Sequence, residues 1–547
     1  MIAGNRKERL VYDYVIVGAG SAGCVLAARL SEDPDCSVLL LEAGPPDVSD
    51  LIHMPAGITA LMRSIYDWDY DAHFEPGCDG RRIYLPRGRV LGGSSSINAM
   101  VYIRGHRADY DEWAASGCQG WGWDDLLPYF LRAEDNERGA SAVHGAGGPL
   151  AVSEGRSRNP LMAAFIDAAI AAGHDARADF NDGEHQLGVG WYQVTQRDGL
   201  RASTAVAYLH PAAARPNLTI ETNCHATRIL FDGERASGVE AGFPGSLRTF
   251  AASREVIVCG GAYNSPQILM LSGIGRPAEL ELLQIPVVAE APNVGLNLSD
   301  HPVAGGNWLV DEPISLFEAL TEENLALLQR DGRGPLTSNY AEAGGFLAVD
   351  DEPRARSIGQ LQFHAWPAAF YDEGLLPTQH HGFSVTTCLL KPRSRGQVAL
   401  VSPEPTAKPL IVHNYYADPD DMRLAIEGVR ACMRVAEQEP LARYVTATHN
   451  VPASDSDADI EAHIRATTGT LYHPVGTCAM GADADSVVDP ALHVRGVEGL
   501  RVVDASVMPT VTRGNTNAPV IALAERAADL IRGIAPAAGP AHAQAIA

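Results

Sequence analysis

The chain has 547 residues, enough for two domains or one elaborated domain, and its 46% hydrophobic and 7% aromatic content is ordinary for a globular protein. Forty-two basic against 67 acidic residues give a formal charge of −25, which argues against nucleic acid and anionic membranes as partners, since both are polyanions. No stretch reaches the roughly 20 apolar residues of a membrane span, no apolar run of its own follows the charged start to make a secretory signal, and nine scattered cysteines without a C-x-x-C pair suit a reducing compartment. A cytoplasmic chain without an integral membrane segment is therefore expected.

Residues 14–17 (YVIV) form a short apolar run of the kind that makes a buried parallel strand. Gly18, Gly20 and Gly23 follow in G-x-G-x-x-G spacing, then a small-residue helix over 24–30 and a second buried strand over 38–41 that ends on Glu42. Gly18 allows a tight turn, Gly20 lets backbone N–H groups approach a pyrophosphate, and Gly23 permits close helix–strand packing. The helix N-terminus offers free donors to phosphate, and Glu42, about 20 residues on, suits ribose hydroxyls. Strand, glycines, helix, strand and acid together predict a dinucleotide site, without separating FAD from NAD.

Residues 45–85 hold few periodic runs and read as an excursion over this unit. Gly92, Gly93 and three serines then make a turn rich in backbone donors. Trp121 and Trp123 read as packing residues. A helix is expected over 160–172, strands over 218–221 and 228–231, and a hairpin at Asp232-Gly233. A further buried strand, 255–259, leads into a helix over 264–272 with Pro266 in its first turn. Asp300-His301 could form a catalytic dyad, but Pro302 and the turn residues before it favour a structural capping role. Alternating runs between 303 and 465 predict an antiparallel sheet, followed by helices over 418–438 and 457–468. The last segment carries a strand over 500–503 that ends on Asp504, and a helix that opens at Pro519. No clustered His/Asp pattern suggests a metal, and His380-His381 is an isolated pair.

The segments VGAGSAGCVLAARL, GRVLGGSSSINAMVYIRG, GGAYNSPQILMLSGIG, VGLNLSDHP, HPVGTCAMG and GNTNAP occur in this order. Together they resemble the glucose–methanol–choline (GMC) flavoprotein oxidoreductases, most closely the choline dehydrogenase-like branch, from Tyr12 to about Gly533. The resemblance implies an α/β fold: a Rossmann-like FAD-binding domain, and a substrate-binding domain built on an antiparallel sheet packed with helices. The expected division is 1–302 for FAD binding, with a substrate-domain excursion near 155–195, then 303–465 for substrate. Residues 466–535 return to the FAD-binding domain with the catalytic residues, and 536–547 form a flexible tail.

The resemblance also implies FAD as cofactor, held by Gly18, Gly20, Ser21, Ala22, Gly23, Glu42, Ala43, Arg89, Gly92, Gly93, Ser94, Asn98, Asp504, Ala505 and Thr516, with Ala226 at the adenine. Some relatives tether the flavin through a histidine in the Gly-Gly-x-Ser-Ser-His-Asn turn. Here Ile97 has no nucleophilic atom at that position, so non-covalent FAD is expected. The implied activity is oxidation of a primary alcohol to the aldehyde by proton abstraction and hydride transfer to flavin N5. His473 takes the place of the family's catalytic histidine, whose unperturbed pKa lies near operating pH. Asn515, chosen over Asn517 by its distance from the final helix, holds the substrate oxygen. Oxygen or a quinone-type carrier would reoxidise the flavin. For the substrate itself, Glu342 stands where choline-oxidising relatives carry a carboxylate, and Tyr66, Trp68, Phe363 and Trp366 could supply rings. Choline oxidation is thus one alternative; a lyase or light-driven decarboxylase on the same fold is another.

Overall fold

The computed structural model describes residues 11–243, 245–371 and 376–535; the charged start, the last residues of the Ala/Pro-rich tail and parts of two loops lie outside them. The strand Val11–Val17 sits at the centre of a seven-stranded sheet ordered Leu218–Glu221, Val38–Leu41, Val11–Val17, Arg248–Val258, Arg235–Ala241, Ala226–Asp232. Leu500–Val502 pairs in parallel beside Arg248–Val258, and the expected hairpin at Asp232-Gly233 forms between the last two strands. Arg248–Val258 serves three partners. One edge pairs in parallel with Val11–Val17, while on the other its first residues pair antiparallel with Arg235–Ala241 and its last in parallel with Leu500–Val502.

Register then places the site. Val17 faces Leu41 on one side and Val258 on the other, and Val258 faces Val502, so the parallel strands end together. The crevice beyond carboxyl ends of such strands is where α/β sheets bind ligands. The four residues Val38–Leu41 are all buried, as a strand covered on both faces requires. The helix Ser21–Leu30 covers one face and packs against Asn517–Arg532 from the far end of the chain. Arg29 pairs with the fully buried Glu525 at 2.8 Å, and the Tyr208 hydroxyl donates to the same carboxylate.

A second seven-stranded sheet is antiparallel throughout, ordered Val445–Asn450, Pro302–Val310, Gly382–Leu389, Leu361–Trp366, Ala343–Leu347, Gly188–Trp191. Its outer face carries the helices Pro419–Ala436 and Pro160–Ala171. Gly469–Thr470 pairs with the first residues of Pro302–Val310, matching Pro302 to Thr470 and Val303 to Gly469. The segment that leaves the first sheet and the segment that returns to it therefore run side by side.

Among the expected boundaries that move, two are helix starts beside a proline. The helix after the second glycine pair is Gly261–Leu271, so Pro266 lies inside it rather than in its first turn. Proline cannot donate to the carbonyl four residues back; the Thr477 hydroxyl donates to that carbonyl, Ala262 O, at 2.6 Å instead. The final helix opens at Asn517, two residues before Pro519. All nine cysteines are free and buried, and Trp121 and Trp123 are core residues.

Candidate active site

A cavity opens at the carboxyl edge of the first sheet and reaches the second. Three helix N-termini line it: Gly20-Ser21-Ala22, Gly260-Gly261-Ala262 and Thr516-Asn517. Each end offers free N–H donors and a partial positive charge, so together they favour an anionic group such as pyrophosphate. The glycines divide the labour. A Cβ on Gly20 or Gly261 would meet no protein atom within 4 Å, so each leaves backbone open to a ligand. A Cβ on Gly23 would lie 1.9 Å from Gly18 O, so Gly23 serves helix–strand packing.

Glu42 lines the cavity at the end of Val38–Leu41. Its Oε2 accepts from Ala19 N at 2.9 Å and its Oε1 from Gly44 N at 2.8 Å, which ties the glycine turn to the second strand. Burial raises its pKa to about 7 against those hydrogen bonds. Asp504 is held similarly: Oδ2 accepts from Gly261 N and Ser265 Oγ, Oδ1 from Ser506 N. Gly18, Ala43, Ser94, Asn98, Ala226, Ala505 and Thr516 also line the cavity.

Arg89, Gly92 and Gly93 are behind the wall rather than on it. Gly92 N donates to Ala19 O at 2.8 Å, and a Cβ on Gly93 would sit 2.6 Å from Gly20 Cα, so the paired glycines lock one turn onto the other. Arg89 lies over the Trp68 ring. Ile97 is on the wall and presents only carbon.

His473 and Asn515 come together across 42 residues, with Asn515 Nδ2 3.2 Å from His473 Nε2. Asn517 is occupied elsewhere, accepting from Ser21 Oγ at 2.6 Å. The backbone N–H of His473 donates to Asp300 Oδ1 at 2.8 Å, and Tyr415 and Thr470 hydroxyls donate to Asp300 Oδ2. Asp300 is thus an anchor for the histidine turn. Burial first, then His301, His364 and Arg87, hold the His473 pKa well below the ordinary imidazole range, so the ring is neutral.

Two of the three expected substrate residues are elsewhere. Glu342 is buried with Oε2 accepting from Asn159 N and Oε1 from Ser338 Oγ, and it does not line the cavity. Phe363 packs on Phe165 and His174 in the outer core. Side chains alternate along Leu361–Trp366, so His364 and Trp366 face the cavity while Phe363 faces away. His364 was missed from sequence although that alternation, read from Trp366, points to it. Arg87, Tyr472 and Tyr263 also line the cavity; no local pattern marks them.

A GMC oxidoreductase model matches residues 12–303 and a second, for the C-terminal part of GMC oxidoreductases, matches 392–524. The chain is 45% identical over 536 residues to an alcohol dehydrogenase [acceptor] of Pseudomonas putida, covering 95% of this chain and 96% of that one. It is 44% identical over 553 residues to human mitochondrial choline dehydrogenase, covering 97% and 92%. Among solved structures it resembles pyridoxine 4-oxidase from Mesorbium loti, with a TM-score of 0.88 at 32% identity over 96% of this chain and 100% of that one. Formate oxidase follows with a TM-score of 0.87 at 28% identity over 96% and 98%.

Proposed function

The chain belongs to the GMC oxidoreductase family, FAD-dependent enzymes that act on CH–OH groups, and from that premise we propose that it oxidises an uncharged primary alcohol to the aldehyde. The observation that carries this reading is the His473–Asn515 pair, facing the same cavity that the glycine turns and three helix N-termini line. When bound, FAD supplies the two-electron acceptor for the carbon-bound hydrogen. Gly18, Gly20, Ser21, Glu42, Asp504 and Thr516 would hold it, and Ile97, with no nucleophilic atom, supports non-covalent binding.

Asn515 Nδ2 donates to the alcohol oxygen and orients it, since an amide cannot serve as a base. His473, neutral through burial, accepts the hydroxyl proton. The carboxylates on the cavity wall are Glu42 and Asp504, both bound to the glycine turns, while Arg87 adds a positive charge. A cationic alcohol such as choline finds no free carboxylate there, because Glu342 is engaged by Asn159 and Ser338. Sheet membership supports the division into a cofactor half, 1–302 with 466–535, and a substrate half, 303–465, except that Gly469–Thr470 pairs in the substrate sheet. Gly188–Trp191, in the excursion near 155–195, belongs to the substrate sheet.

Anaerobic mixing of the yellow holoenzyme with primary alcohols tests the reading, with bleaching at about 450 nm as the signal. Choline and its uncharged isostere 3,3-dimethyl-1-butanol separate charge from shape; a preference for choline would reverse the substrate assignment. A flavin left oxidised by every alcohol would favour the lyase or decarboxylase reading. Peroxide yield against dye reduction identifies oxygen or a quinone-type acceptor, and acid precipitation should release the FAD from the protein.

A further inference from the structure

We propose that His301 is a positioning residue that sets the tautomer of His473, leaving Nε2 of His473 unprotonated toward the cavity. This rests on the reading of His473 as the proton acceptor. His301 Nε2 lies 3.1 Å from Leu390 O, and a carbonyl oxygen can only accept, so that nitrogen carries hydrogen. In a neutral ring the other nitrogen is then an acceptor. His301 Nδ1 lies 3.0 Å from His473 Nδ1, so His473 Nδ1 must be the donor. The lone pair of His473 is thereby left on Nε2, where Asn515 Nδ2 points at 3.2 Å. A backbone carbonyl just past the strand Gly382–Leu389 thus dictates, through two imidazoles, which atom of His473 can take a proton.

The geometry is built rather than incidental. Asp300 Oδ1 accepts from both His301 N and His473 N at 2.8 Å, so one carboxylate oxygen pins both backbones. Pairing of Pro302 with Thr470 and of Ser299 with Val475 brackets the two histidines, and their rings meet at 89° with centroids 5.1 Å apart. The charged and titratable groups acting on the pair are Asp300, His364, Arg87, Lys391 and Asp109. Burial pushes the His301 pKa down to about 4, so this ring is neutral and able to accept. Once His473 holds the alcohol proton at Nε2, its Nδ1–H donates to the neutral His301 ring as a charge-assisted bond.

The test compares His301→Leu, which removes the acceptor, with His301→Gln, whose amide can both accept from His473 and donate to Leu390. FAD content and circular dichroism serve as fold controls. His301→Leu should slow anaerobic flavin reduction by about 10²-fold and displace the pKa of its pH–rate profile, while His301→Gln restores most of the rate and the profile. A His301→Leu enzyme with an unchanged rate and profile, or a Gln variant as impaired as the Leu variant, would overturn the proposal. If the Leu variant does not fold, nitrogen NMR of histidine-labelled wild-type holoenzyme decides. An unprotonated Nε2 on His473 is expected, and the opposite tautomer sinks the idea. Loss of reduction in His473→Ala with retention in His301→Leu would spare the base assignment and reject this one alone.

Discussion

Thr477→Val removes a single hydroxyl of nearly the same volume, yet its consequence should reach the cofactor cradle. Ala262 lines the cavity, and its carbonyl lacks the usual helical donor because residue 266 is proline. The buried Thr477 hydroxyl fills that place at 2.6 Å. An orphaned buried acceptor costs about 1–3 kcal/mol. For a chain of this length, unfolding entropy is on the order of 1 kcal/mol per kelvin, so the expected drop in Tm is about 1–3 °C. Because the same turn carries Gly260 and Gly261 on the cavity wall, FAD should also dissociate faster. Scanning calorimetry and flavin-release fluorescence read both effects. The stronger check is a double-mutant cycle. Pro266→Ala restores an N–H aimed at Ala262 O, so Thr477→Val should then cost less than about 0.5 kcal/mol. Equal costs in the two backgrounds would refute the compensation.

Other expectations follow from the same site. His473→Ala should keep FAD but slow anaerobic reduction by at least about 10²-fold, a barrier increase of about 2.7 kcal/mol; a loss under tenfold would exclude it as the proton acceptor. Gly20→Ala should leave a folded protein with weakened FAD binding, since its Cβ enters open cavity, whereas Gly23→Ala should damage folding itself through the clash with Gly18 O. Thermal melts and flavin-to-protein ratios distinguish the two. Far from the cavity, His144 bridges the buried Glu134 and Asp179, at 3.2 and 2.9 Å. Against the cost of burial, these carboxylates raise its pKa to about 9. Its contribution to stability is complete below about pH 6.5 and fades as pH rises through about 9, so wild type should lose Tm over that range more steeply than His144→Gln.

Reading the chain worked best where structure is local. The order of strand, glycine turn, helix and second strand depends on neighbours within a few dozen residues. The same reading misplaced Glu342 and Phe363 because which side of a segment meets the cavity depends on what packs on its other side. Phe363 is turned to Phe165, and Glu342 is captured by Asn159, a residue 183 positions away. The same limit hid His301. The turn residues around it correctly suggested a cap, and Asp300 does hold the His473 backbone, but ring contact needs the pairing of two segments 172 residues apart.

What the amino-acid sequence determined alone was the dinucleotide unit and its order of elements, because strand, turn and helix propensities act over short range and the glycines admit few backbone paths. Only the tertiary structure decided which imidazole nitrogen of His473 faces the cavity. That choice follows from hydrogen-bond partners supplied by a distant carbonyl and a distant ring, and no residue near His473 in the chain specifies either.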